Sequence, residues 1–140
     1  MTTLLDTNVL SELLRARPDG TVLAWFAQQA ADSLHVSAVT QAEMLLGARL
    51  LPAGKRRAQL EQALDAMFSE DFGARLLPFD SAAAIAFAPI VATRRAMGRP
   101  ISQFDAQIAA IATSRGLRLA TRNTADFEGC GVGLVDPWRE

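Results

Sequence analysis

Five short apolar stretches, Thr3 to Leu5, Leu34 to Val36, Arg75 to Leu77, Leu117 to Ala120 and Val132 to Val135, recur along this chain between segments of helical periodicity. Runs this short fill a buried strand but fall short of a packed helix. No tight hairpin signal joins one stretch to the next, so a helical crossover must follow each strand and deliver the next one parallel to it. A parallel sheet has two apolar faces, and both need helices over them. The order of elements therefore predicts a three-layer α/β/α fold around a central parallel sheet. Ligands bind such sheets outside the carboxyl ends of the strands, which makes the residues just after each strand the first candidates for function.

The intervening segments read as helices. Val9 to Leu14 and Val22 to Ala31 are divided by Pro18, Asp19 and Gly20, and Thr40 to Leu51 runs up to Pro52 and Gly54. Arg56 to Phe72 carries Leu60, Leu64, Met67 and Phe68 on one face. Asp80 reads as the N-cap of Ser81 to Met97, within which Pro89 predicts a kink or break. Phe104 to Arg115 ends at Gly116, a C-cap position. With 140 residues, 50% of them hydrophobic, the chain supports a single domain over residues 1–140.

Other functions are narrowed by composition. No apolar run approaches the roughly 18 residues of a membrane span, and the acid at Asp6 interrupts the N-terminus where a secretory signal needs an unbroken apolar stretch, so a cytoplasmic protein is expected. Cys130 is the only cysteine and lies between Gly129 and Gly131, a setting for a small loop residue with neither a disulfide nor a zinc partner. A net charge of -1 lacks the basic footprint of a tight non-specific nucleic-acid binder. Arg94, Arg95, Arg99, Arg115, Arg118 and Arg122 are nevertheless concentrated in the last third, where they could make the local charge differ from the net one.

Four of the 15 acids fall where this architecture gathers side chains. Asp6 directly follows the first strand. Glu43 is expected in the first turn of the helix after the second strand, Asp105 in the first turn of the helix before the fourth, and Asp126 shortly after the fourth. If strands one and four are neighbours, all four meet at one rim. Carboxylates gathered without matching cationic side chains repel one another, and a cation is their natural occupant. Oxygen ligands without cysteine or histidine suit Mg²⁺ or Mn²⁺ rather than zinc. A plainer role competes for three of them. Thr40, Ser102 and Asn123 each stand three positions before an acid, the spacing of a capping box. Asp6 has no such partner. The two roles are compatible, because a carboxylate fixed at a helix start is a pre-oriented ligand.

Four stretches then carry a family resemblance. Leu5-Asp6-Thr7-Asn8-Val9-Leu10-Ser11-Glu12 resembles the first motif of PIN-domain toxins, and Ser37-Ala38-Val39-Thr40-Gln41-Ala42-Glu43 with Gly47 resembles the second. Phe104-Asp105-Ala106-Gln107-Ile108-Ala109-Ala110 resembles the third, and Leu119-Ala120-Thr121-Arg122-Asn123-Thr124-Ala125-Asp126-Phe127 the fourth. The close at Val135-Asp136-Pro137-Trp138 is similar to the FitB-like branch of VapC toxins. The resemblance implies a PIN-like fold and an Mg²⁺- or Mn²⁺-dependent endoribonuclease, the toxin of a type II toxin-antitoxin pair. Its metal ligands and catalytic acids would be Asp6, Glu43, Asp105 and Asp126, supported by Thr7, Thr121 and Asn123. Asp6 and Asp105 would be the primary ligands, Glu43 a ligand or water-positioning base, and Asp126 an outer ligand or partner of a second metal. It implies as partners an RNA substrate, a cognate antitoxin with a DNA-binding domain, operator DNA reached through that complex, and a second copy in a homodimer.

Several residues have plainer readings. Asn8 is expected to cap the helix from Val9, and His35 to pack within its strand or form a surface tip rather than act as a general base. Trp25, Phe26, Met67 and Phe68 read as core or interface, and their apolar faces look generous enough for a dimer contact. An aspartyl phosphotransferase is the rival enzyme, since an acid after the first strand can be a nucleophile, but the second Asp expected two positions later is Asn8 here. A non-catalytic docking module would have no use for four acids in register.

Overall fold

The computed structural model describes residues 1–140. Strands β1 (Thr3–Leu5), β2 (Leu34–Ser37), β3 (Leu76–Leu77), β4 (Arg118–Ala120) and β5 (Leu134–Val135) form one parallel sheet in the order β3-β2-β1-β4-β5. Leu5 of β1 is in register with Val36 on one side and with Ala120 on the other. From β1 the chain steps outward through β2 and β3, then crosses to β4 on the opposite side. The border between β1 and β4 is therefore the topological switch point, where a crevice opens at the carboxyl ends.

The helices are α1 (Thr7–Leu13), α2 (Gly20–Gln28), α3 (Ala38–Arg49), α4 (Lys55–Ala66), α5 (Ser81–Ala96) and α6 (Gln103–Ser114). Adjacent strand residues point to opposite faces, and the two leucines of β1 show it. Leu4, with Leu77 and Leu119, packs against Ala83 and Ile90 of α5 and Ile108 and Ile111 of α6. Leu5, with Val36, Ala120 and Val135, packs against Val9 and Leu10 of α1, Trp25 of α2 and Leu64 of α4. Each such aliphatic side chain contributes about 1.5–3 kcal/mol by leaving water. The expected three layers are thus built from two cores, one on each face of the sheet.

Local differences from the sequence reading have physical causes. The segment expected as one helix from Arg56 to Phe72 is α-helical only to Ala66 and continues as a wider π-helical turn over Met67–Phe72. That turn delivers Met67, Phe68 and Phe72 to the second core. Trp25, Met67 and Phe68 are therefore buried within the chain itself, and half-buried Phe26 lines an open apolar groove beside them. Gly116 does terminate α6: at φ +67° it lets Leu117 N–H donate to the Ala112 carbonyl at 2.9 Å, turning the chain into β4. No helix is long and apolar enough to cross a membrane.

Pro89 lies inside α5 without breaking it. The residue is exposed, and so is Ile85 one turn earlier, where water can satisfy the carbonyl that lacks an N–H partner. Restoring that N–H at a solvent-facing position should help. Pro89→Ala is expected to raise the unfolding free energy by about 1–3 kcal/mol in urea titrations; an unchanged or lower midpoint would show that the pyrrolidine ring itself holds α5 in place.

Candidate active site

The switch point places Asp6 immediately beyond β1. Its backbone N–H extends the sheet by donating to the Ala120 carbonyl at 2.9 Å. The side chain caps α1, with Oδ1 accepting from Thr7 N–H at 2.8 Å. Oδ2 accepts from the Thr121 hydroxyl at 2.8 Å and from the Asn8 amide at 3.3 Å. Thr121 is fully buried at the end of β4, and its hydroxyl also accepts from Asn123 N–H at 3.1 Å. Asn8 is not the helix cap expected from sequence: Asp6 takes that position, and Asn8 lies inside α1. Its amide bridges Asp6 and Thr121 while its carbonyl oxygen accepts from Arg122 N–H at 3.3 Å.

Glu43 reaches the same rim from α3. Its Oε1 accepts from the Thr7 hydroxyl at 2.8 Å, and Thr7 also meets the buried hydroxyl of Thr40 at 3.0 Å. The N-cap of α3 is Ser37, whose Oγ accepts from Thr40 N–H at 3.0 Å. Glu43 therefore sits in the second turn of the helix, and the expected Thr40–Glu43 capping box does not form. Ser37 and Thr40 are both hydroxyl residues three apart, and β2 extends one residue further than expected, which moves the cap from one to the other.

Asp105 does lie in the first turn of α6, and its N–H donates to the capping Ser102 hydroxyl at 3.1 Å. Asp126 lies exposed in a short 3-10 turn, Thr124–Phe127. Asn123 precedes that turn without a side-chain cap; only its carbonyl accepts from Asp126 N–H, at 3.0 Å. The turn is held from behind. Arg94, one of the six arginines concentrated in the last third, is 4% exposed and donates to the Asp126 carbonyl at 2.6 Å and the Arg99 carbonyl at 2.7 Å. Cys130 is buried beside it, as its glycine-flanked setting suggested.

The electrostatics tie these acids into one group. Burial lifts the Asp6 carboxyl from its ordinary 3.8 to about 6; the Thr121 and Thr7 hydrogen bonds oppose the rise, and the charges of Asp105 and Glu43 add to it. Asp105 is also raised, again chiefly by burial, with Asp126 and Glu43 adding and Ser102 and Arg94 opposing. None of the four acids has an ion-pair partner among the six pairs in the molecule. This donor set, carboxylates flanked by hydroxyls with no thiol or imidazole, fits a hard divalent cation. No three of the acids surround a common point as they stand.

Comparison with known proteins shows the family and the fold. A family model described as PIN domain matches residues 3–129. The chain is 41% identical over 134 residues to the VapC ribonuclease Y4jK of Sinorhizobium fredii, covering 96% of both chains. It is 38% identical over 137 residues to the toxin FitB of Neisseria gonorrhoeae, covering 98% of this chain and 99% of that one. The solved structure of FitAB bound to an IR36 DNA fragment superposes with a TM-score of 0.92 at 37% identity, over 98% of this chain and 96% of that one. This chain belongs to the PIN-domain family.

The raised carboxyls give the site a sign that helix capping alone lacks. A carboxyl near 6 in the folded state and near 3.8 unfolded opposes folding at neutral pH, and that cost, on the order of 2 to 4 kcal/mol for Asp6, fades as pH falls through 6 toward 4. In chelator at pH 7, Asp105→Asn should therefore melt higher than wild type, with the gap closing toward pH 4. Mg²⁺ should stabilise wild type more than the variant. A variant that melts lower, with its Mg²⁺ response intact, would reduce Asp105 to a first-turn helix residue stabilised by the dipole.

Proposed function

We propose that this protein is a metal-dependent endoribonuclease, the toxin of a type II toxin-antitoxin pair, with Asp6, Glu43, Asp105 and Asp126 as its metal-binding acids. The observation that carries the reading is Asp6: a buried carboxylate at the switch point, fixed by three donors yet opposed by no cationic side chain. Mg²⁺ or Mn²⁺, held chiefly by Asp6 and Asp105, would supply Lewis acidity and charge neutralisation for in-line attack of water on the scissile phosphorus. The protein's part is orientation. Thr121 and Asn8 fix Oδ2 of Asp6, leaving its Oδ1 shared only with Thr7 N–H. Thr7 holds Oε1 of Glu43, which leaves Oε2 to take a proton from the attacking water. Asn123 secures the Thr121 hydroxyl, and Arg94 fixes the turn from which Asp126 completes the ring of charge.

The test is direct. Purified chain free of any antitoxin should cleave members of a broad RNA panel with Mg²⁺ or Mn²⁺ and be silent in EDTA; cleavage undiminished by chelator would exclude the metal mechanism.

Partners follow from relatives that occur as FitAB, one of them on DNA. The partner here is a small antitoxin whose DNA-binding domain brings the complex to its operator. Its amphipathic tail has a place to lie. An apolar groove of about 590 Å³ runs between α1, α2 and the Met67–Phe72 turn, lined by Leu10, Leu13, Leu23, Phe26, Met67 and Phe72. Leu23 is 43% exposed there, so Leu23→Glu should leave the fold intact while abolishing co-purification with the product of the adjacent antitoxin gene. Undisturbed co-purification would place the antitoxin elsewhere. A second copy of the chain completes the proposed assembly, and light scattering showing only monomer at micromolar concentration would remove it.

A further inference from the structure

Beside the acids, on the far side of Asn8, lies a small polar cavity of about 220 Å³ lined by Glu12, Arg15, Arg17, Asp19, Arg122 and Trp138. It is joined to the catalytic rim by short steps. Arg122 directly follows Thr121, and its N–H binds the same Asn8 whose amide holds Asp6. Glu12 is one helical turn beyond Asn8 on the same face of α1.

The charges in this cavity do not cancel. Glu12, 5% exposed, is already engaged by Arg15 at 3.2 Å and by Asp19 N–H at 2.9 Å. Asp19 spends its side chain capping α2 through Thr21 N–H and Val22 N–H. Asp19 keeps its charge, so the lining sets three arginines against two carboxylates and carries a net charge of +1. Neither Arg17 nor Arg122 appears in any of the six ion pairs or in any side-chain hydrogen bond through its guanidinium. By contrast, Arg94, Arg99, Arg115 and Arg118 all give their guanidinium groups to protein oxygens.

Arg122 also has an aromatic neighbour. Its guanidinium lies 5.0 Å from the centroid of the Trp138 ring. Trp138 packs against the second core, and its backbone N–H donates to Asp136 Oδ1 at 2.9 Å. An unpaired guanidinium over an indole can stack on a base and donate its free N–H groups to a phosphate.

We propose that this cavity is a nucleotide subsite, in which Arg122, beside Trp138, and Arg17 bind the phosphate and base of the RNA nucleotide next to the scissile phosphate. The inference rests on the nuclease reading and deepens it. It answers a physical difficulty of that reading: four acids at the cleavage point repel the strand, and an overall charge of -1 supplies no general attraction. Two unpaired cations beside the acids supply it locally.

The test uses the full chain with Arg122→Ala, Arg122→Lys and Arg17→Ala. A fluorescein-labelled random-sequence single-stranded RNA is titrated in EDTA over a range of salt, and cleavage of total bacterial RNA is followed with Mg²⁺. Arg122→Ala should weaken binding about tenfold and lower the salt slope by ~0.7, one single-strand phosphate contact. Arg122→Lys should recover the slope but not the stacking share of affinity. Cleavage should slow at limiting RNA and recover at saturation, and the Mg²⁺-induced rise in melting temperature should stay as in wild type. Variants that bind RNA as wild type does, while wild type cleaves, would overturn the subsite alone. A wild type that neither binds nor cleaves any RNA would overturn the nuclease reading and the subsite with it. Variants that keep RNA binding but lose binding of a poly-glutamate peptide would overturn the proposal in favour of an acidic protein segment.

Discussion

The burial of one carboxylate, Asp6, sets terms that the rest of the structure meets. A carboxylate removed from water without a cation is costly, and here the cost is offset only in part by three hydrogen bonds from Thr121, Asn8 and Thr7. Two of those donors stand in α1 and one at the end of β4, so the carboxylate joins elements that are adjacent in space but 115 residues apart in sequence. Its own N–H completes the β1–β4 ladder at Ala120. The sheet register and the acid's position are thus one constraint. A slip of one residue in β1 would exchange Leu4 with Leu5 between the two cores and turn Asp6 away from Thr121.

Around this fixed point the other acids are held with decreasing firmness. Asp105 is set by α6, whose Ala106 and Ile108 to Ala112 are all essentially buried. Glu43 reaches the rim on a longer side chain from the second turn of α3 and is steadied by Thr7. Asp126 projects from a short exposed turn whose order is borrowed from α5 through Arg94. On the proposed reading, a rigid first ligand with progressively more adjustable companions would let a cation draw the set together without straining the sheet.

The sheet and the acids were legible in sequence for a simple reason. Strand alternation and chain order depend on local pattern, and both survive tertiary packing. The errors lie where a residue's partner is distant. Thr40 has the spacing of a cap to Glu43, but Ser37 caps α3 and Thr40 turns toward Thr7. Asn8 has a cap's chemistry, yet Asp6 already occupies that position and the amide reaches across to β4. Trp25, Met67 and Phe68 lie at a spacing that says their face is covered but not by what, and the chain covers it with its own second core. Arg94 looks like surface charge because arginine usually is, whereas here its guanidinium replaces water around two backbone carbonyls.

That last substitution changes how the charge of the molecule should be counted. Summed over the chain, 14 basic and 15 acidic groups nearly cancel, which suggests indifference to a polyanion. The cations are not equivalent, however. Arg94 is committed to carbonyls inside, Arg99 and Arg115 to Glu128 and Asp80 at the surface, and Arg118 to Thr3 and Gln29 at the opposite end of β4 from the acids. A cation neutralised by its own chain contributes little field at a distance, while an unpaired one keeps its full charge within a Debye length. Around the acids, Arg94 therefore still acts on Asp105 from behind, while Arg17 and Arg122, free of any ion pair, add positive charge on one side. Net charge hides that arrangement, because the positive groups matter by whether they are engaged, and engagement is decided by the fold.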